Sequence, residues 1–98
     1  MRRAAKVDGN HAKIVAALRA VGCGVVDLSA VGCGVPDLLV TCPTHPHDMV
    51  LIEVKDEAQP ANKRKLTPAQ EKFHAGWRGR LVVVKSVDEA LAAVGIPA

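Results

Sequence analysis

Ninety-eight residues, 49% of them hydrophobic and 23% charged, are enough for one hydrophobic core and exclude both a second domain and a disordered tail. Thirteen Lys and Arg against ten Asp and Glu leave a net charge of +3, which permits a polyanionic partner without requiring one. The apolar runs fall far short of the roughly 20 residues of a membrane-spanning helix, and no segment reads as a signal peptide.

Phe73 and Trp77 are the only aromatic residues, so the core is aliphatic and base-stacking platforms are not expected. Cys23, Cys33 and Cys42 are odd in number and form no CxxC pair, which fits reduced thiols in a cytoplasm. Cys23 and Cys33 are expected to be small buried hydrophobes.

Residues 1–7 carry Arg2, Arg3 and Lys6 without periodicity and read as a mobile basic arm. Ile14, Val15, Leu18 and Val21 recur at helical spacing before Gly22, which predicts a helix over 9–21. Residues 20–25 and 30–35 both read Ala-Val-Gly-Cys-Gly-Val, and each copy is followed by an aspartate, Asp27 or Asp37. The repeat is too short to be an architecture. The first copy ends the helix and leads into a strand over 25–28, whereas Gly32 and Gly34 in the second form the turn into Pro36.

Residues 37–41 and 49–55 are β-rich runs joined by 42–48, which predicts a hairpin. Cys42, His45, His47 and Asp48 are all metal-ligand types, but their spacing matches no structural zinc site, and the segment reads as a loop stiffened by Pro43 and Pro46. A polar stretch with Pro60 and the cluster Lys63-Arg64-Lys65 follows. Thr67-Pro68 opens a helix to about residue 78, on which Phe73 and Trp77 are expected to pack. Residues 81–84 form a strand, and Ser86 with Glu89 caps a last helix ending near Gly95. The order is α-β-β-β-α-β-α, an α/β domain with a central mixed sheet of four strands flanked by helices.

Alternation in the third strand puts Val50, Ile52 and Val54 on one face and Leu51, Glu53 and Lys55 on the other. If the hairpin pairs Thr41 with Met49, partner numbers sum to 90 and Asp37 lies opposite Glu53, with Cβ atoms about 4.5–5.5 Å apart. Two ionised carboxylates at that distance repel each other unless one keeps a proton or a cation joins them. Lys55 and a hard divalent cation are the two compensating charges available, and both together suit phosphodiester hydrolysis. Asp37 alone would read as a turn residue after proline, and Glu53 with Lys55 alone as an alternating charged edge. Gln70 is the third residue after the Thr67 cap, so it serves either a capping box or the site.

Val35-Pro36-Asp37 followed by Glu53-Val54-Lys55 resembles the PD-(D/E)XK nuclease signature. The flanking text narrows this. Lys6-Val7-Asp8, Leu28-Ser29, Pro36-Asp37-Leu38-Leu39-Val40, Glu53-Val54-Lys55-Asp56, Lys65-Leu66-Thr67-Pro68 and Phe73-His74 with Trp77 resemble the small stand-alone VRR-NUC nucleases of phages and bacteria, over nearly the whole chain (1–98). The resemblance implies a restriction-endonuclease-like core and a magnesium- or manganese-dependent endonuclease. It also implies branched DNA such as a Holliday junction as substrate, a homodimer, and the cytoplasm of a bacterium or phage-infected cell.

By the same resemblance Asp37 and Glu53 are metal ligands with the carbonyl of Val54, Lys55 orients or activates water, and Gln70 positions water or phosphate. Many relatives carry an acidic residue on the first helix where this chain has Asn10 and His11, which would supply an oxygen or a nitrogen instead. Lys63, Arg64 and Lys65 would grip the DNA backbone. The alternative function is a DNA-binding or assembly module of the same fold with a weakened site.

Overall fold

Ile14, Val15 and Leu18 fall three and four residues apart and form the buried stripe of helix α1 (His11–Ala20) in a computed structural model that describes residues 8–97. The expected basic arm over 1–7 lies outside the described residues. The chain continues through β1 (Val25–Asp27), β2 (Leu38–Thr41), β3 (Met49–Val54), a 3-10 turn at Ala61–Lys63, α2 (Pro68–Gly76), β4 (Leu81–Val84) and α3 (Val87–Ala93). This α/β order is the one read from the sequence. The ends shift by a residue or two: α2 stops at Gly76 because Trp77 is already extended, with ψ 127°.

The four strands form one mixed sheet in the order β1-β2-β3-β4, with antiparallel, antiparallel and parallel neighbours. A parallel pair needs a crossover, and α2 supplies it between β3 and β4. The β2–β3 hairpin pairs Thr41 with Met49 and Leu38 with Ile52, the expected register. β3 is therefore an interior strand, and the edge reading of its charges does not hold.

Its two faces differ in chemistry. Leu38, Val40, Val50, Ile52, Val54 and Val84 are buried with Ile14, Val15 and Leu18 of α1 and Ala90 of α3, in one aliphatic cluster. Each fully buried Leu or Ile there contributes about 1.5–3 kcal/mol over an exposed one. The opposite face carries Leu51, Glu53 and Lys55, at 5%, 2% and 7% exposure.

Helix α2 has no buried residue, and its polar side chains meet that second face. Trp77 is half exposed and stacks on Phe73, ring centroids 5.5 Å apart, so the two aromatics pack on each other outside the aliphatic core rather than at its border. Cys33 is exposed, contrary to expectation, because Gly32, Cys33 and Gly34 all take left-handed backbone and turn it outward. Gly34 passes so close to α2 that a Cβ there would overlap the carbonyl of Ala69. Ser86 accepts from the Glu89 amide as expected, but Glu89 reaches back to the amide of Lys85 rather than to Ser86 itself. Among the described residues no helix is long and apolar enough to cross a membrane.

Candidate active site

Continuing the β2–β3 register one place beyond Leu38 and Ile52 sets Asp37 opposite Glu53, and a second place sets Pro36 opposite Val54. Proline has no N–H, so the ladder cannot close there in the ordinary way. The amide of Val54 instead donates to Asp37 Oδ2 at 2.8 Å. Both main-chain groups of a strand residue point to the same neighbour, so the Val54 carbonyl also faces that side, opposite a residue with nothing to donate. Asp37 and Glu53 are thus brought together as the sequence predicts, with the Val54 carbonyl beside them.

Glu53 has its pKa pushed up to about 8, first by burial and then by the hydrogen bond and charge of Asp37, with Lys55 acting against the shift. Glu53 therefore keeps its proton at neutral pH. Glu53 Oε1 is shielded from solvent and has no hydrogen-bond partner among the described residues.

Lys55, two residues along the same face, donates from Nζ to Gln70 Oε1 at 2.9 Å. Gln70 makes the cap and also contacts both charged residues of β3. Its Oε1 also accepts from the Thr67 amide at 2.9 Å and its own amide donates to Thr67 Oγ1, the reciprocal cap. Its Nε2 meanwhile donates to Glu53 Oε2 at 3.3 Å. One side chain thus ties the start of α2 to both charged residues of β3.

Two residues that the sequence reading did not place in the site also border it. His74 lies one turn after Gln70, with Nε2 3.8 Å from Glu53 Oε1, and burial followed by the nearby Lys55 charge lowers its pKa. The signal was the spacing of four from Gln70 along one helical face. Asp8 has a raised pKa, mainly from burial and then with Lys55 opposing and Asp37 adding to it, so a third carboxylate lies within the field of the site. It precedes α1, where its carbonyl accepts from the His11 amide.

The first-helix residues expected as contributors are engaged otherwise. Asn10 Nδ2 donates to the carbonyls of Lys55 and Lys85, tying the ends of β3 and β4, while its Oδ1 is shielded without a partner among the described residues. His11 Nε2 lies 3.0 Å from Asp27 Oδ2. Asp27, the counterpart of Asp37 in the repeat, thereby gains a partner that the sequence did not reveal. Burial pushes its pKa up, but hydrogen bonds from Ser29 and His11 prevail and hold it at about 2.

Lys63 and Lys65 are exposed and Arg64 is half-buried. Among the described residues no hydrogen bond or ion pair joins any of the three to Asp37, Glu53 or Lys55. Nor do three or more His, Cys, Asp or Glu side chains converge as a metal-holding group among the described residues. The 42–48 segment is a loop closed by main-chain bonds, Cys42 N–H to the Asp48 carbonyl and Asp48 N–H to the His45 carbonyl. A cation at the Asp37–Glu53 pair would take two carboxylates and main-chain oxygen, with solvent or substrate completing its shell. Compared with family models, curated proteins and solved structures, the chain gives no match.

Proposed function

We propose that this chain is a divalent-metal-dependent DNA endonuclease of the VRR-NUC type, with the restriction-endonuclease-like core of PD-(D/E)XK enzymes. Its substrate is branched DNA such as a Holliday junction, cut by a homodimer. The observation that carries this reading is the meeting of Asp37 and Glu53 across the hairpin, with Lys55 on the same face.

Two carboxyls in contact inside a protein hold a proton or a cation between them. The raised Glu53 pKa is the proton-holding form, and its orphaned Oε1 is an acceptor without a donor. With the Val54 carbonyl the pair offers three oxygens, the hard donors that magnesium or manganese takes alongside water and phosphate. When bound, such an ion polarises the phosphoryl group and lowers the pKa of water.

The chain supplies the rest. Asp37 is oriented by the Val54 amide and Glu53 by Gln70. Lys55, held by Gln70 Oε1, keeps an ammonium group beside the scissile phosphate, where it orients the attacking water and offsets developing charge. Lys63, Arg64 and Lys65 grip the backbone without reading sequence.

The homodimer reading rests on the outer side of α2. There Trp77 is 45% exposed, and an open groove runs between Cys33, Phe73 and Trp77. Apolar patches of this kind mark protein contacts, and two paired sites suit the cutting of opposed strands. Free Cys23, Cys33 and Cys42 agree with a reducing cytoplasm.

Incubation of four-way, forked and linear DNA with Mg²⁺, Mn²⁺ or EDTA tests the proposal. Cleavage of branched DNA by wild type in metal, lost in Asp37→Ala, Glu53→Ala and Lys55→Ala variants that still fold, is expected. No cleavage of any DNA in either metal overturns it.

A second reading, a DNA-binding module with a weakened site, is favoured by one observation. The first turn of α1 has no acidic residue, and Asn10 and His11 are bonded elsewhere. It predicts junction binding that neither EDTA nor Glu53→Ala alters.

A further inference from the structure

Helix α2 approaches the carboxyl group of Glu53 at both oxygens. Gln70 Nε2 donates to Oε2 at 3.3 Å, and His74, one turn later, sets its Nε2 3.8 Å from Oε1. Glu53 is 2% exposed and the His74 side chain 17%. Neither Oε1 nor Nε2 has a hydrogen-bond partner among the described residues, although they face each other. Two polar atoms left open inside a protein are costly as they stand, and with the imidazole proton on Nε2 a shift to about 2.9 Å satisfies both.

We propose that His74 is a positioning residue: when Glu53 ligates a divalent cation, the His74 Nε2–H donates to Oε1, so that α2 clamps the carboxylate by both oxygens. The inference rests on the metal-site reading above.

Carboxylates that bind metals are themselves hydrogen-bonded, and those outer contacts fix the orientation in which the carboxylate meets the ion. Gln70 cannot do this alone. Its Oε1 is already shared between Lys55 and the Thr67 amide, and its single bond to Glu53 leaves the carboxylate free to swing about Oε2. His74, at i+4 on the same helical face, supplies the second point. A direct ligand role fits less well, because Asp37, Glu53 and His74 do not converge as a three-residue metal group.

Calorimetric titration of Mn²⁺ into the metal-free full chain tests this with wild type, His74→Leu and His74→Gln, alongside melting temperatures in EDTA. Leucine removes the donor, and glutamine keeps an N–H. The expected result is Mn²⁺ affinity about 10–100-fold weaker in His74→Leu and within about threefold of wild type in His74→Gln, with the EDTA melting temperatures alike. Equal affinity in wild type and His74→Leu overturns the proposal. An imidazole nitrogen coupling in the electron spin echo spectrum of Mn²⁺ bound to wild type also overturns it, since that would make His74 a ligand. If His74→Leu does not fold, this spectrum and the affinity of His74→Gln decide. No Mn²⁺ binding to wild type refutes the metal site itself, whereas binding insensitive to position 74 refutes only the clamp.

Discussion

Asp37 presents one carboxylate oxygen to the main-chain amide of Val54 at 2.8 Å, in the place where an ordinary ladder would have put the carbonyl of Pro36. That single bond fixes the aspartate beside the end of β3, while Pro36, which has no N–H, leaves the Val54 carbonyl without a ladder donor. The proline and aspartate of the motif thus act on the two main-chain groups of Val54: the aspartate takes its N–H, and the proline leaves its carbonyl open.

The proton held by Glu53 makes stability depend on pH. With its pKa raised by burial and Asp37 to about 8, against 4.5 when unperturbed, Glu53 keeps a proton in the folded chain that the unfolded chain releases. The folded state binds more protons between those values, so this carboxyl lowers stability as pH rises through that window. Glu53→Gln removes the titration and keeps the shape. In EDTA, wild type should lose more melting temperature between pH 5 and 9 than Glu53→Gln, with the variant several degrees higher at pH 9, since about 1 kcal/mol corresponds to roughly 4–8 °C. Parallel slopes would refute the proton on Glu53.

A cation that binds the pair must displace that proton. At pH 7 titration of Mn²⁺ should therefore release about one proton per ion, visible as a dependence of the apparent enthalpy on buffer ionisation enthalpy. At a hundredfold excess over the dissociation constant the ion should add about 2.7 kcal/mol to stability. Removing it with EDTA should reverse the gain. Asp37→Asn and Glu53→Gln should show neither effect; a gain retained in both would place the ion elsewhere.

Asp27 and Asp37 occupy equivalent places in the sequence repeat but have different partners. Asp37→Asn is expected to lower cleavage by more than about a hundredfold, since even outer-shell changes at metal sites cost up to that. Asp27→Asn should leave cleavage within about twofold. It should instead flatten the acid limb of the stability curve, because a carboxylate held at about 2 contributes stability above its unfolded pKa of 3.8 that is lost as pH falls toward 2. The side chain is 46% exposed, so that contribution is at most about 1 kcal/mol. Loss of cleavage in both variants would remove the distinction.

Gly34 has φ 82° and faces the carbonyl of Ala69 at the start of α2. Gly34→Ala should cost about 1–3 kcal/mol and push α2 from the Glu53 face. Trp77 is the only tryptophan, so its emission reports that movement directly. An unchanged melting temperature and emission maximum would mean that the loop gives way instead.

If α2 carries the dimer surface, Trp77→Asp should raise the dimer dissociation constant at least about tenfold in sedimentation velocity, as loss of an interface aromatic commonly does. Monomeric wild type at tens of micromolar would contradict the dimer.

Much of this site was legible before folding was considered, wherever the determinants are local. Alternation along β3 and the short loop 42–48 set the hairpin register, and the register alone brings Asp37 to Glu53. The cap made by Gln70 was legible because its place after Thr67 is a helix-cap position. The exposure of Trp77 and Cys33 was not legible, because helical spacing and the usual burial of cysteine point inward. At these positions a crossover helix with no buried residue and a left-handed loop leave them outside.

The sequence by itself determined the order of elements, the strand faces and the pairing of Asp37 with Glu53, because strand alternation and turn chemistry act over a few residues. Only the tertiary structure decided that His74 reaches Glu53, that Asp8 lies in the field of Lys55, and that Asn10 and His11 turn to main chain and to Asp27. Those contacts depend on how α1 and α2 lie against the sheet. That placement is set by distant close approaches, such as Gly34 against Ala69, which leave no periodic trace in the chain.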